Sequence, residues 1–235
     1  MPNRTLLCLL ATVCFSSTVA QRDKPIVLSV DITDAPRKIL HAHLSIPVQP
    51  GPLTLVYPKW IPGEHGPTGP VDDLAGIVFT ANGQTLSWQR DDVDMFAFHL
   101  NVPADTALLD CKLDFLATAP PTGFSAGAST SANLAMVSWN ELLLYPLGKP
   151  ASEISFEPSV KTPEGWKFAT ALTQSSAAGS TTQFSPVSLN VLVDSPLLAG
   201  KFFKEIPLAE GVTPKHYLDV AADAPEDLNL SLIHI

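Results

Sequence analysis

The sequence predicts a mainly β fold, an antiparallel β-sandwich or saddle with a few short helices. The chain of 235 residues holds 22 prolines against 13 glycines, and prolines spread through short apolar runs interrupt long helices. Apolar and polar residues alternate with a period of two along residues 26–32 and 40–46, which is typical of half-buried strands. These observations exclude a helical bundle.

The remaining strands follow from similar runs separated by turn signals. The first two strands should pair antiparallel through a turn at residues 34–36. Asn82-Gly83 is the strongest hairpin signal, because both residues tolerate a positive φ. The further predicted strands are residues 53–57, 77–80, 85–89, 95–102, 109–117 and 154–160.

Three short helices are predicted, at residues 133–143, at residues 185–193 and from Asp223 onward. Asn133, Ser185 and Asp223 supply the capping side chains. Two stretches rich in Ser, Ala, Gly and Thr, residues 122–133 and 175–182, predict mobile surface loops.

Composition limits the function. Hydrophobic residues make up 46% of the chain and charged residues 16%, so the chain can bury a core and general disorder is excluded. The net charge is −9, and an acidic surface repels phosphate backbones and anionic lipids. We therefore expect neither a nucleic-acid partner nor a membrane-surface role.

The chain divides into three segments. Residues 1–20 carry one cation, an apolar run and small residues before Ala20, which predicts a secretory signal peptide. No later run is apolar enough to span a membrane, so we expect an exported protein, periplasmic or extracellular. Residues 21–227 form the β domain, in which Cys111 is the only cysteine and should be a buried apolar side chain. We interpret residues 228–235 as a truncated, artefactual tail, because residues 230–235 resemble translated sequencing-adapter read-through.

Candidate catalytic and metal-binding patterns are incomplete. His41 and His43 share a strand face, but no third ligand accompanies them, so an outward polar face is favoured over a metal site. The three aspartates within residues 91–94 lack the glycine and glutamate of a calcium loop and favour a solvated turn. Residues 123–127 match Gly-x-Ser-x-Gly, yet the strand and helix of a hydrolase elbow are missing around them. We assign no catalytic or metal residue and no cofactor to this chain.

The most distinctive segment is residues 57–67. Prolines on both sides of Trp60 fix φ, and Gly63 permits a sharp turn, so the loop should be stiff and hold the Trp60 ring in one place. Two alternatives are open: Trp60 belongs to a binding surface, or it plugs the end of the sandwich.

Three motifs follow one another along the chain: Tyr-Pro-Lys-Trp-Ile-Pro-Gly at residues 57–63, Pro-Glu-Gly-Trp followed by Thr-Ala-Leu within residues 163–172, and Leu-Val-Asp-Ser-Pro at residues 192–196. Together they resemble the N-terminal domain of the M-61 peptidase (glycyl aminopeptidase) family of zinc metallopeptidases. The likeness runs from about residue 25 to residue 227. His65 stands where the family usually has tyrosine.

The resemblance implies a non-catalytic β domain that packs on a metallopeptidase domain and shapes its cleft. The catalytic domain, with its zinc, and a later PDZ-like domain would lie after Asp227, so this chain alone should be inactive. The expected partners are that catalytic domain and a peptide substrate. Trp60, Gly63, Glu64 and His65 are the expected substrate or interdomain loop. A free-standing secreted module that binds a peptide or a glycan is the alternative.

Overall fold

A computed structural model describes residues 24–61, 63, 65–117, 129–209 and 211–229. The predicted mainly β class is confirmed, because nineteen strands accompany one short α-helix and four 3-10 turns in the described residues. The strands are β1 Ile26–Asp31, β2 Ile39–Pro47, β3 Gly51–Val56, β4 Leu74–Ala81, β5 Gln84–Leu86, β6 Trp88–Arg90, β7 Ala97–Val102, β8 Leu108–Leu116, β9 Ser129–Thr130, β10 Leu134–Val137, β11 Tyr145–Pro146, β12 Ser155–Lys161, β13 Lys167–Thr170, β14 Gln174–Ala178, β15 Thr181–Phe184, β16 Val187–Ser188, β17 Leu197–Gly200, β18 Phe202–Pro207 and β19 Tyr217–Ala222. The helix α1 spans Leu189–Val193, and the 3-10 turns are Ala35–Arg37, Val71–Asp73, Trp139–Glu141 and Pro225–Leu228.

One large sheet organises the fold. Its nine strands run in the order β14-β15-β12-β1-β2-β8-β4-β5, with β16 also paired to β12. Alternation along β2 and β8 buries Leu40, Leu44, Leu109 and Leu113 on one face and turns polar side chains to the other. The pairs are antiparallel except β1 with β12, which is parallel.

Two four-stranded sheets cover the buried face of the large sheet. Their strand orders are β13-β17-β10-β9 and β11-β3-β7-β6. Trp88 of β6 contacts Phe79 of β4 edge-on, with ring centroids 6.1 Å apart, and Phe168 of β13 meets Phe184 of β15 in the same way at 6.0 Å. The result is a sandwich with one continuous core.

Two local predictions are confirmed. Strands β1 and β2 pair antiparallel across the turn that contains Ala35. Asn82 and Gly83, with φ of 50° and 77°, form the two-residue turn between β4 and β5, as the positive-φ requirement of a hairpin turn predicts.

The helix predictions are largely wrong. The first predicted helix is instead β10 followed by the 3-10 turn at Trp139–Glu141, because Ala135 and Val137 alternate into the core while β10 pairs with β17. The second helix begins only at Leu189, where the Ser188 hydroxyl accepts the Val191 N–H. After Asp223 the described residues form a 3-10 turn, capped by no side chain.

Residues 175–182 are not a loop. They belong to the β14–β15 hairpin at the edge of the large sheet, turning at Gly179 with φ of 60°. Every side chain of β14 is exposed, so small polar residues suffice there and the composition resembles that of a loop. The predictions for residues 1–20, 122–128 and 230–235 lie outside the described residues.

Cys111 is fully buried in β8, as predicted. Burial raises the pKa of its thiol to about 12, so the thiol stays protonated and unreactive. Among the helices of the described residues, none is long and apolar enough to cross a membrane.

Candidate substrate or interdomain loop

Residues 57–70, which we call the signature loop, follow strand β3 and begin at the buried residue Tyr57. Tyr57 is almost fully buried, its N–H donates to the Phe96 carbonyl at 2.9 Å, and its hydroxyl donates to the Glu141 carbonyl at 3.3 Å. Burial raises the pKa of Tyr57 well above its usual value. The phenol therefore remains a neutral donor that fixes the start of the loop.

The far end of the signature loop closes back on its start. The Gly69 N–H donates to the Lys59 carbonyl at 3.1 Å. A Cβ atom at Gly69 would lie 2.0 Å from the carbonyl oxygen of Pro58, far inside contact distance. The closure therefore requires glycine at this position.

Lys59 connects the signature loop to a second surface turn, residues 91–97, which we call the acidic turn. Its Nζ lies 2.7 Å from the Asp94 carboxylate and 5.3 Å from the centre of the Phe96 ring. The hydrogen bond from Lys59 holds the pKa of Asp94 below its usual value. The two segments thus lie side by side on the surface.

Asp91 organises the acidic turn. Its carboxylate accepts the N–H groups of Asp94 and Val93 at 2.8 Å and contacts His99 Nε2 at 2.8 Å. These bonds, led by that from Asp94, lower the pKa of Asp91 to about 2. Asp91 therefore stabilises the turn itself, in keeping with the solvated turn favoured over a calcium loop.

The two segments display large apolar side chains to solvent. Trp60 is 66% exposed, so its ring does not plug the end of the sandwich, and Val93 is 96% exposed. Met95 is also exposed. Sequence reasoning missed Val93 and Met95, although an apolar residue on each side of Asp94 in an acidic turn is a usable signal.

The other three residues predicted for the substrate or interdomain loop are Gly63, Glu64 and His65. Gly63 has a φ of 87°, as the predicted sharp turn requires. His65 is exposed, and Glu64 lies outside the described residues. A substrate or interdomain role for Trp60, Gly63, Glu64 and His65 stays a prediction.

The second and third motifs meet inside the sandwich. The Ser195 carbonyl accepts Trp139 Nε1–H at 2.8 Å and the Thr170 hydroxyl at 3.1 Å, and the Ser195 hydroxyl donates to the Val191 carbonyl at 2.7 Å. Both Trp139 and Ser195 are buried. These two motifs therefore stabilise the fold, whereas the first forms a surface.

Across residues 24–61, 63, 65–117, 129–209 and 211–229, no group of three or more His, Cys, Asp or Glu side chains could hold a metal ion. His41 and His43 lie on the outer face of the large sheet, paired with aspartates. His41 Nδ1 is 2.7 Å from Asp114 and its Nε2 is 3.2 Å from Asp34, while His43 contacts Asp110 at 3.1 Å.

His41 should make part of the stability pH-dependent. Burial alone would lower its pKa, but the hydrogen bonds to Asp114 and Asp34 outweigh burial and raise the pKa above 6.5. The folded state then holds the proton more tightly, so this stabilisation is complete below about pH 6.5 and is lost as pH rises through the raised pKa. We expect the urea midpoint to fall with rising pH across that range, and to fall less in His41→Gln. His43→Gln, which leaves His41 and both its partners in place, is the control. If the urea midpoint of His41→Gln fell with pH as steeply as that of the unmodified protein, the pH dependence would not come from His41.

The geometry defines a β-rich domain with an aromatic side chain, Trp60, exposed on a surface loop. Residues 27–201 match the family model described as Peptidase M61 N-terminal domain. The chain therefore belongs to that family, and the resemblance identified from its three motifs is confirmed. No curated protein sequence matches the chain significantly.

Among solved structures, the chain is similar to an aminopeptidase N family protein from Idiomarina loihiensis, at 18% identity and a TM-score of 0.67, over 83% of this chain and 32% of that one. It is also similar to the M1 zinc metallopeptidase of Deinococcus radiodurans, at 17% identity and a TM-score of 0.46, over 83% of this chain and 46% of that one. A variant of the latter bound to a Tyr-Ser-Ala substrate matches at 15% identity and a TM-score of 0.48, with the same coverage. The Idiomarina likeness shows a shared fold, and the chain spans about a third of that protein's length.

Proposed function

We propose that this chain is the non-catalytic N-terminal domain of an exported zinc metallo-aminopeptidase, and that the signature loop packs on the catalytic domain and shapes its substrate cleft. Membership of the Peptidase M61 N-terminal domain family supports the peptidase assignment. Residues 1–20 support export, to the periplasm or beyond the cell.

The observation that carries the proposal is the exposure of Trp60 on a loop that is closed by a hydrogen bond at the preceding residue. Lys59 is paired with Asp94, its carbonyl accepts the Gly69 N–H, and the Trp60 side chain is 66% exposed. A backbone held before contact loses little conformational freedom when it is covered, and tryptophans often dominate the energy of a contact. Trp60 is therefore suited to line a cleft or anchor a neighbouring domain.

The chemistry of hydrolysis would belong to the catalytic domain. A zinc ion bound there would supply Lewis-acid chemistry for the scissile carbonyl and for the attacking water. The contribution of this chain is positional: Trp60 narrows the cleft and excludes water from one side of the peptide.

Trp60→Ala separates this role from folding. In the complete gene product that contains this chain, we expect kcat/KM for a peptide substrate to fall about tenfold, equivalent to about 1.4 kcal/mol. The free energy of unfolding should change by less than about 0.5 kcal/mol, because the ring is mostly exposed.

Trp88→Ala is the matched control. Trp88 packs on Phe79 and Phe98, so its loss should lower stability and leave kcat/KM of the folded enzyme unchanged. Equal kcat/KM values for Trp60→Ala and the unmodified protein would remove the cleft role.

A chelator distinguishes the two classes of function. Peptidase activity of the complete gene product that disappears with a zinc chelator and returns with zinc supports the proposal. A gene product that hydrolyses no peptide, yet binds peptides or glycans through Trp60, is the secreted binding module instead. Export is tested by sequencing the N-terminus of the mature protein, which should begin at Gln21.

A further inference from the structure

Strands β18 and β19, residues 202–207 and 217–222, form a two-stranded ribbon, which we call the terminal ribbon. Its six cross-strand pairs run from Phe202 with Ala222 to Pro207 with Tyr217, and no other strand of the described residues joins it. It begins directly after residue 201, where the family match ends. The terminal ribbon is thus an addition to the sandwich rather than part of its sheets.

One face of the terminal ribbon is an apolar stripe. Alternation and register place Phe202, Ile206, Leu218 and Val220 on the same side, with Lys204 among them. These four apolar side chains are only partly buried. Leu208 extends the stripe and is 58% exposed, and its N–H continues the pairing with the His216 carbonyl at 2.9 Å.

The base of the terminal ribbon is fixed to the sandwich. Asn133 Nδ2 donates to the Asp223 carbonyl and the Lys201 N–H donates to the Asn133 carbonyl, both at 2.8 Å, while the Ser131 hydroxyl donates to the Asp223 carboxylate. Ala221 packs against Gly200, where an added Cβ would lie 3.1 Å away. The ribbon is therefore held in one direction while its stripe remains partly open.

We propose that the terminal ribbon is the docking element for the polypeptide that follows this domain in the parent peptidase. That polypeptide covers the apolar stripe and adds a strand to an edge of the ribbon. The inference rests on the proposed function and names the surface through which the two domains join.

Three observations favour this occupant. A two-stranded ribbon is marginally stable alone in water and is stabilised by a further strand or a covering layer. The 3-10 turn at Pro225–Leu228 packs on both strands of the terminal ribbon, so residue 229, the last described residue, lies beside the ribbon. This chain covers 32% of the Idiomarina protein, so a longer relative has ample chain to cover the stripe.

A second copy of this chain fits less well. Each copy carries a net charge of −9, and two such copies repel each other. A covalently linked segment instead acts at a high effective concentration. Self-association is therefore an outcome that the test must separate from docking within one molecule.

Amide hydrogen exchange in the complete gene product tests the added strand. Strand β14 is the internal reference, since it is an edge strand with every side chain exposed. We expect the edge amides of the terminal ribbon to exchange at least tenfold more slowly than the edge amides of β14. Equal exchange rates, in a gene product with zinc-dependent peptidase activity, would overturn the docking inference and leave the proposed function standing.

Leu208→Lys tests the covered stripe. Leu208 is exposed in this domain, so a lysine at this position should leave the domain itself stable. It should destabilise the terminal ribbon only where another segment covers the position. We expect at least tenfold faster exchange across the terminal ribbon of the complete gene product. Val191→Lys, at a comparably exposed valine on α1, should leave the ribbon unchanged.

The remaining outcomes overturn one proposal or both. Unchanged exchange in Leu208→Lys removes the docking inference. Ribbon protection that depends on protein concentration assigns the surface to a second copy and also removes it. A gene product without zinc-dependent peptidase activity removes the proposed function, and the docking inference with it.

Discussion

Gly69→Ala is expected to lower the free energy of unfolding by about 3 kcal/mol, at the upper end of the usual cost of overpacking. The added methyl group would lie 2.0 Å from the Pro58 carbonyl oxygen and 3.2 Å from the Phe96 ring. Pro58 is buried, and its backbone cannot move without disturbing Tyr57, whose N–H is bonded to Phe96. The signature loop must therefore open, or the strand before it must shift.

Gly66→Ala is the matched control within the same loop. A Cβ atom at Gly66 meets only the Thr68 Cγ2 atom, at 3.7 Å, which is an ordinary contact. We expect its free energy of unfolding, from urea denaturation, to remain within about 0.5 kcal/mol of the unmodified protein. Equal stabilities for the two alanine variants would show that the loop is not closed at Gly69.

The first half of the fold was predictable because its signals are local. Strands β1, β2 and β8 alternate apolar and polar residues over six to nine positions, and Asn82-Gly83 marks its own turn. The second half depends on partners distant in sequence. Residues 134–137 form a strand because β17 lies alongside them. The sequence predicts the strand at residues 154–160, but no local signal shows its parallel pairing with β1, more than a hundred residues away.

The candidate site shows the same division. The prolines of the signature loop predict a stiff segment. In the structure, the backbone hydrogen bonds of Tyr57 and Gly69 hold its two ends, and the close approach of Gly69 to Pro58 leaves no room for a side chain. The contact of Lys59 with Asp94 joins two segments 35 positions apart. No local pattern encodes that contact, so the sequence alone does not show that the signature loop and the acidic turn lie side by side.

Trp139→Ala should have the other large effect, because it removes a fully buried ring. Loss of a buried tryptophan costs about 3–5 kcal/mol, and the Trp139 ring also meets the Phe184 ring, 6.1 Å away. Urea denaturation of Trp139→Ala measures the effect. Trp60→Ala deletes the same side chain from an exposed position and controls for the substitution; similar losses in the two variants would contradict the burial difference between them.

A double-mutant cycle then isolates the shared hydrogen bonds at Ser195. Trp139→Phe and Thr170→Val each remove one of the two donors to the Ser195 carbonyl and leave the other in place. The double variant removes both, and a buried acceptor without a donor costs about 1–3 kcal/mol. We therefore expect the loss in the free energy of unfolding of the double variant to exceed the sum of the two single losses by about 1 kcal/mol. Simple additivity would mean that the carbonyl finds another donor, and that the second and third motifs stabilise the sandwich through packing alone.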